Sequence, residues 1–243
     1  MTELSERLRA VADFVEDGMV LADIGTDHGY IPITLVQEER CPRAVAMDIN
    51  AGPLARAREH IAAAGLSEKI KTRRSDGMKE LKEGEADCAI VAGMGGALTI
   101  KILEESRAVA EKLKILILQP QSELSKVRMY LAEQGYEILA EDMVLEDGKF
   151  YPMMKVRPGN PYTLTQEEAS YGKTLLAQRN PVLKMFLQKE LETKQNVLRE
   201  LDGKNGEHIS RRRESLSEEI SCVEEILKQW EDKTEFCTQK ERT

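Results

Sequence analysis

No part of this 243-residue chain constrains it more than VLADIGTDHGYI, Val20 to Ile31. A short apolar run there ends in an acidic residue and then in a turn punctuated by two glycines. Val20 to Ala22 suit a buried parallel strand. Gly25 and Gly29 permit positive φ or close backbone approach, and the residues after Gly29 resume an apolar, helix-compatible pattern. Such a strand-turn-helix unit presents free backbone N–H groups at the crevice beyond the strand's carboxyl end, where nucleotide cofactors bind in α/β sheets.

The segments that follow repeat the design. AVAMDIN (Ala44 to Asn50) reads as a second buried strand ending in Asp48 and Ile49. An acidic residue there, roughly 20 residues beyond the first loop, is placed to accept hydrogen bonds from ribose hydroxyls. KIKTRRSDG ends in Asp76 and Gly77, and ADCAIVAGMGG runs from an apolar strand into Gly93, Met94 and Gly95. Any one of these residues also suits a plain turn or cap. Their recurrence at matching strand ends is what points to one shared ligand.

The first loop also discriminates between cofactors. A dinucleotide site uses G-x-G-x-x-G to lay a pyrophosphate on a helix N-terminus, but Asp27 stands where the middle glycine would be, and its carboxylate would repel phosphate. S-adenosylmethionine has no phosphate and carries a cationic sulfonium, so Asp23, Asp48 and Asp76 suit it better than NAD. No G-x-x-x-x-G-K-[ST] occurs, so a P-loop is excluded.

DIGTDHGYIP, VAMDIN, VAGMGG and LQPQSE, in this order and followed by a helical tail, resemble the bacterial tRNA (adenine-22-N1)-methyltransferases over essentially the whole chain. The resemblance implies a Rossmann-like class I methyltransferase domain and a C-terminal coiled-coil of helices. It also implies methyl transfer from S-adenosylmethionine to N1 of adenine 22 in tRNA.

Periodicity yields an organisation consistent with this. Lys114 to Gln121 reads as a fifth buried strand, and Tyr136 to Val144 with Phe150 to Val156 as an antiparallel pair joined near Asp147-Gly148. Helices are expected at Leu54 to Ala64, Ala97 to Glu111 and Glu123 to Glu133. The fold class is therefore α/β, a seven-stranded mostly parallel sheet with right-handed crossovers. RPGNPY (Arg157 to Tyr162) interrupts any regular element, which divides the chain into a cofactor domain, 1–158, and a helical appendage, 159–243.

In the appendage, Leu187, Leu191, Leu198 and Leu201, then Ile209, Leu216, Ile220, Val223, Leu227 and Trp230, follow a heptad-like repeat. Asn180-Pro181 supplies a helix start and Asp202 to Glu207 a turn, so an antiparallel helical coiled-coil is expected. Residues 173–213 hold 10 Lys or Arg against 5 Asp or Glu, and residues 214–243 hold 4 against 9. This asymmetry suits charge complementarity between two helices. It equally suits a phosphate-contacting stripe of Arg179, Lys184, Lys189, Lys194 and Arg211 to Arg213. The net charge of −8 speaks against a generally sticky RNA binder, but a local basic face can dock a folded tRNA, and the family resemblance favours that reading.

Other classes fall away. No apolar run reaches the length of a bilayer span, and MTELSERLRAVADFV reads as an amphipathic helix rather than a signal peptide, so a cytoplasmic monomer with no membrane or metal partner is expected. Cys41, Cys88, Cys222 and Cys237 form no C-x-x-C pair and read as reduced thiols.

The chemistry asks little of the protein. Adenine N1 has an in-plane lone pair that attacks the methyl group directly, so positioning outweighs general-base strength. The base must first be drawn out of pairing and stacking. Asp27 is the candidate to orient the exocyclic amine, its alternative being a helix N-cap, and Tyr30 is the candidate to stack on the base, its alternative being core packing. His28 suits cofactor contact or turn packing. Gly93 to Gly96 replace the Pro-Pro-aromatic loop of amino-group methyltransferases, or form a helix-packing turn. Gln119-Pro120 lines a substrate mouth or merely ends a strand. Two other functions stay open on residues alone: a small-molecule methyltransferase, and an RNA-binding module with a vestigial cofactor cleft.

Overall fold

The computed structural model describes residues 3–240, with the side chains of 3–231. It contains two compact units, Met1–Thr174 and Leu175–Thr243. The first opens with helix α1 (Glu6–Asp13), then alternates β1 (Leu21–Ile24), α2 (Tyr30–Gln37), β2 (Ala44–Asp48), α3 (Ala51–Ala63) and β3 (Ile70–Arg74). β4 (Cys88–Met94), α4 (Gly96–Glu105), α5 (Arg107–Ala110), β5 (Ile115–Pro120) and α6 (Leu124–Glu133) follow. A hairpin of β6 (Tyr136–Glu146) and β7 (Lys149–Pro158) precedes the short α7 (Gln166–Tyr171).

The sheet has the order β3-β2-β1-β4-β5-β7-β6. The first five strands are parallel, while β7 runs antiparallel to β5 and β6 antiparallel to β7. This is the doubly wound order of a nucleotide-binding sheet with an antiparallel strand wedged in beside β5. The expected seven strands are all present, and Asp147-Gly148 turns the hairpin with both residues at positive φ.

The central strands are buried on both faces, so alternate residues feed two cores. Ala22, Val45, Val91, Leu116 and Leu118 pack with Ile102 and Leu103 of α4 and Val127 and Leu131 of α6. Leu21, Ala46, Ile90, Ile115 and Ile117 pack with Val11 of α1, Leu35 of α2 and Ile61 of α3. Each fully buried Leu or Ile contributes about 1.5–3 kcal/mol.

Two expectations shift. The single helix over Ala97–Glu111 is two, because Ser106 leaves helical geometry at φ −121°, ψ 26°, ends α4 and begins α5; serine competes with the helix for its own backbone groups and favours such ends. The Pro- and Gly-rich segment after β7 does not end the first unit. Gly159 N–H donates to the Gly135 carbonyl at 2.6 Å and Tyr162 N–H to the Ala132 carbonyl at 3.1 Å. Beyond it, the buried Arg128 guanidinium of α6 binds Glu141 of β6 at 2.8 Å and the carbonyls of Ala169 and Ser170 at 3.0 Å, while Thr174 N–H donates to Glu141. The segment from residue 159 to Thr174 is thereby tied to the sheet, so residue 158 lies inside the first compact unit.

After α8 (Lys173–Gln178), which spans the division, the second unit is a hairpin of α9 (Pro181–Glu200) and α10 (Glu207–Lys240). Asn180 caps α9 through its side-chain oxygen, with Pro181 in the first turn. Leu183, Leu187, Leu216, Ile220 and Val223 are buried. The antiparallel pairing is fixed by Lys194 to Glu219 at 2.9 Å, Gln195 to Glu224 at 3.2 Å and Arg213 on the Leu201 carbonyl. The basic and acidic runs do not coincide with the two helices. Arg211 to Arg213 open α10, and α9 itself holds four basic residues (Lys184, Lys189, Lys194, Arg199) against three acidic ones (Glu190, Glu192, Glu200). Cys41 and Cys88 are buried free thiols, both pushed up in pKa by burial; the side chain of Cys237 lies outside the described residues.

Candidate active site beyond the carboxyl ends of the parallel strands

The strand order reverses at β1, which lies between β2 and β4, and the crevice at such a point is where α/β sheets bind ligands. A cavity of about 340 Å³ opens there, lined by the loop after β1, the end of β4 and α1.

The loop after β1 is held in shape by its neighbour. Gly25 and Thr26 donate their N–H groups to the Met47 carbonyl at 2.8 and 3.0 Å, and Gly29 N–H closes on the Thr26 carbonyl at 2.8 Å. Gly25 has φ 78° and Gly29 φ 75°, as expected of turn glycines. A side chain at Gly25 would also overlap the methyl group of Met94, so its absence is what lets the β1 and β4 loops meet. Asp23, at 5% exposure, accepts a 2.6 Å bond from the Thr26 hydroxyl and has no cationic partner among the described residues. Burial pushes its carboxyl up to about 6. A buried carboxylate lacking a cationic partner beside a cavity favours a ligand that brings positive charge.

Asp48 closes β2, where one oxygen accepts the Asn50 N–H at 2.7 Å and the other has no hydrogen-bond partner among the described residues. Ile49 beside it is 49% exposed, an apolar surface fit for a base. Asp76 differs: its carboxylate is paired with Lys79 at 2.5 Å, which holds its pKa low, and Lys79 is shared with Glu105. Gly77, at φ 62°, lies against Ile102.

In β4, Gly93 is an extra residue at φ 77° where the register with β5 shifts between Ala92 and Met94, a bulge of the kind found beside active sites. Gly95 stands at the N-cap of α4 without a capping side chain, and Gly96 lies against the Ser122 carbonyl too closely for a Cβ. The α4 N-terminus is satisfied by Ser122 and Glu123, so the glycine turn does pack a helix. Gln119 does not line a mouth. It is fully buried, its oxygen accepting from Gly93 N–H at 3.2 Å and Arg7 Nη1 at 3.0 Å, and Gln121 is the glutamine at the cavity wall. Pro120 is also buried, opposite Met94.

Asp27, at φ 43°, does not cap α2, whose N-cap is Gly29. Its carboxylate instead accepts from Arg56 Nη2 at 2.6 Å and faces His28 Nε2 at 3.4 Å. His28, Tyr30 and His60 form a near-parallel stack with ring centroids 5.1 to 5.5 Å apart. Tyr30 is also packed against the apolar core, so its two readings coexist. His60 Nδ1 lies 3.0 Å from the His28 carbonyl, and since a carbonyl only accepts, Nδ1 carries a proton there.

Arg7, Arg56 and His60 are site residues that no motif marks, whereas Gln121 stands within LQPQSE, one residue beyond Pro120. Arg56 and His60 carried a usable signal, being one helical turn apart on the helix that follows Asp48. Arg7 carried none. In the second unit, Arg179 precedes the α9 cap at φ 50°, and Lys184 and Lys189 lie along α9. Lys194 is shared between Glu190 and Glu219, Arg211 pairs with Glu207 and Arg212 with Glu219. Among the described residues no three metal-ligating side chains come together, and no helix is long and apolar enough to cross a membrane.

Residues 4–154 match the methyltransferase domain family. The chain is 30% identical to the tRNA (adenine(22)-N(1))-methyltransferase of Bacillus subtilis, over 93% of its own length and 97% of that protein. It belongs to this tRNA methyltransferase family. A putative tRNA (m1A22) methyltransferase of Streptococcus pneumoniae superposes with a TM-score of 0.86 at 34% identity, covering 93% of this chain and all of that one. The same protein in complex with S-adenosyl-L-methionine gives 0.83 at 33% identity, with the same coverage. The crevice of this family member fits that cofactor: a buried carboxylate without a cation, a free oxygen on Asp48, an exposed apolar Ile49, and a carboxylate, Asp27, where a phosphate-binding loop needs none.

Proposed function

We propose that this protein transfers the methyl group of S-adenosylmethionine to N1 of an adenine in tRNA, at position 22. The observation that carries the proposal is the acidic crevice itself, with buried Asp23 on one side and the Asp27, His28 and Tyr30 group on the same loop. The bound sulfonium supplies an activated methyl group.

Every other requirement falls to the chain's own residues. Asp23, Asp48 and Ile49 hold the cofactor at the ends of β1 and β2, and the backbone at Gly25, Gly29, Gly77, Gly93 and Gly95 leaves it room. Asp76 contributes through its backbone, since Lys79 occupies its carboxylate. Asp27 accepts a hydrogen bond from the exocyclic amine and stabilises the positive charge that N1 methylation places on the ring. Arg56 holds Asp27 in its left-handed conformation, and Tyr30, backed by His28 and His60, offers an aromatic face to the extruded base. Attack by a ring lone pair needs orientation more than proton removal, which agrees with a site that offers carboxylates and rings.

The helical unit meets tRNA phosphates through Arg179, Lys184, Lys189 and Arg211. The Arg211 to Glu207 pair is exposed and therefore easily exchanged for a phosphate. The protein acts as a monomer in the cytoplasm, where tRNA is. The test is methyl transfer from labelled cofactor into unmodified tRNA, followed by nucleoside mapping. Label in 1-methyladenosine at position 22 is expected; label elsewhere, or none, overturns the proposal.

A further inference from the structure

An adenine drawn into the crevice leaves its phosphates outside, because the base enters and the backbone stays at the rim. The wall that the base passes carries the carboxylates of Asp23 and Asp27, so a cation at the rim is needed to offset their repulsion of a phosphodiester. Arg56 of α3 stands there. It is not among the residues lining the cavity and touches one that is: Nη2 donates to Asp27 Oδ1 at 2.6 Å, with side-chain exposures of 46% and 57%.

That bond uses one of the five N–H donors of the guanidinium, and among the described residues the others have no partner. Gly52, one turn earlier on α3, presents no side chain beside them; even a Cβ there would come within 3.8 Å of Nη1. As a purely structural device the pair does little, since two charges this exposed gain little from meeting. A planar fork can bind two oxyanions at once, and phosphate is the one that a nucleic acid brings to the outside of the site. Asp27 keeps lone pairs for the exocyclic amine, its Oδ2 facing His28 Nε2 at 3.4 Å. Base and phosphate of one nucleotide then meet the two ends of one ion pair.

We propose that Arg56 grips a backbone phosphate flanking the target adenosine while it holds Asp27, so that one guanidinium sets the phosphate of the nucleotide in register with its base. The inference rests on the tRNA reading above. It makes Arg56 a positioning residue that distinguishes a nucleotide within a chain from a free base.

Methyl-transfer kinetics on the full chain test it, with tRNA assembled to carry a neutral methylphosphonate at either phosphate flanking the target adenosine. In the unsubstituted protein one of the two methylphosphonates should lower kcat/KM roughly tenfold or more, the span of one charge-assisted contact, and this arm needs no variant to fold. Arg56→Gln should lower kcat/KM on ordinary tRNA by a similar factor, flatten the slope of log affinity against log salt by about one unit, and abolish the methylphosphonate penalty. Arg56→Lys keeps the charge but not the fork, so it should retain the salt slope and recover part of the rate. A lower kcat for Arg56→Gln with the salt slope and the methylphosphonate penalty unchanged would make Arg56 a brace for Asp27 alone and overturn the proposal, as would no effect of the substitution. If the unsubstituted protein methylates no tRNA, the functional reading itself fails. That result is separate from a protein that methylates tRNA and ignores both methylphosphonates, which overturns this inference alone.

Discussion

In the sheet unit, Arg128 and Glu141 meet with 1% and 0% side-chain exposure, and the pair also bonds the backbone of residues 169, 170 and 174. In the helical hairpin, Lys194 and Glu219 meet at 17% and 37%, and Arg211 and Glu207 at 75% and 80%. The same chemistry does different things in the two places. Removing one partner of a buried pair strands the other in a medium that cannot solvate it, whereas an exposed pair trades its partner for water at little cost. The first kind of charge specifies structure. The second is left available for exchange with a ligand.

The largest effect should therefore come from Glu141→Ala, which leaves Arg128 buried without its counter-ion and Thr174 N–H without an acceptor. Denaturant unfolding should show a loss of about 3–5 kcal/mol. A loss below about 1 kcal/mol would mean that Arg128 reaches water and that the contrast between the units is false.

Asp23 tests burial from the opposite direction. Its folded carboxyl is pushed up to about 6 from the usual 3.8, so between those values the folded protein holds a proton that the unfolded chain has released. Stability should fall as pH rises from about 4 to about 6, and the penalty is fully present above 6. Asp23→Asn should remove that slope and gain up to ~3 kcal/mol over the native protein at pH 7, measured by urea unfolding at both pH values. The same variant should bind cofactor poorly, because the instability is the residue's function. Parallel pH profiles for the two proteins would show that Asp23 is not titrating.

Asp27 and Asp48 separate chemistry from binding within the crevice. Asp27→Ala should lower turnover on tRNA by about a hundredfold, ~2.7 kcal/mol, with cofactor affinity little changed. Asp48→Ala should do the reverse, weakening cofactor binding by ~1–3 kcal/mol. Calorimetry together with kcat on tRNA reads both, and identical losses from the two variants would dissolve the proposed division of labour.

How much of the fold and site was legible in the sequence follows from how local each feature is. The strand ends, the glycine turn and Asp23 announce themselves, because a parallel strand must be apolar and its terminal loop must be small or polar. The hairpin turn at Asp147-Gly148 and the Asn180-Pro181 helix start are equally local. The Arg56 bond to Asp27 spans 29 residues, the His60 contact with His28 spans 32 and the Arg7 bond to Gln119 spans 112. Nothing in an amphipathic helix such as SERLRAVADFV marks one arginine as facing a cavity. The end of the first unit was obscured for the same reason: Pro158, Gly159 and Pro161 do end the strand, but Arg128, distant in sequence, carries the following segment back onto it.

The smallest expected effect lies in the hairpin and bears on whether its exposed cations serve tRNA. Lys184→Glu combined with Lys189→Glu changes two exposed or half-exposed positions on α9, so unfolding free energy should move by no more than about 0.5 kcal/mol. If both lysines meet phosphates, KM for tRNA should rise several-fold while cofactor affinity stays constant, and the slope of log affinity against log salt should flatten by about one unit for each phosphate no longer neutralised. Lys194→Gln is the internal control. That lysine is shared between Glu190 and Glu219, so its replacement should cost less than about 1 kcal/mol of stability and leave the salt slope unchanged. A salt slope that responds to Lys194 but not to Lys184 and Lys189 would move the RNA face around the helix. If the slope responds to none of the three, the phosphate contacts belong to the sheet unit, where Lys71 and Arg74 are exposed on β3 at the sheet's edge while Arg73 is already bound to Glu85 at 2.5 Å.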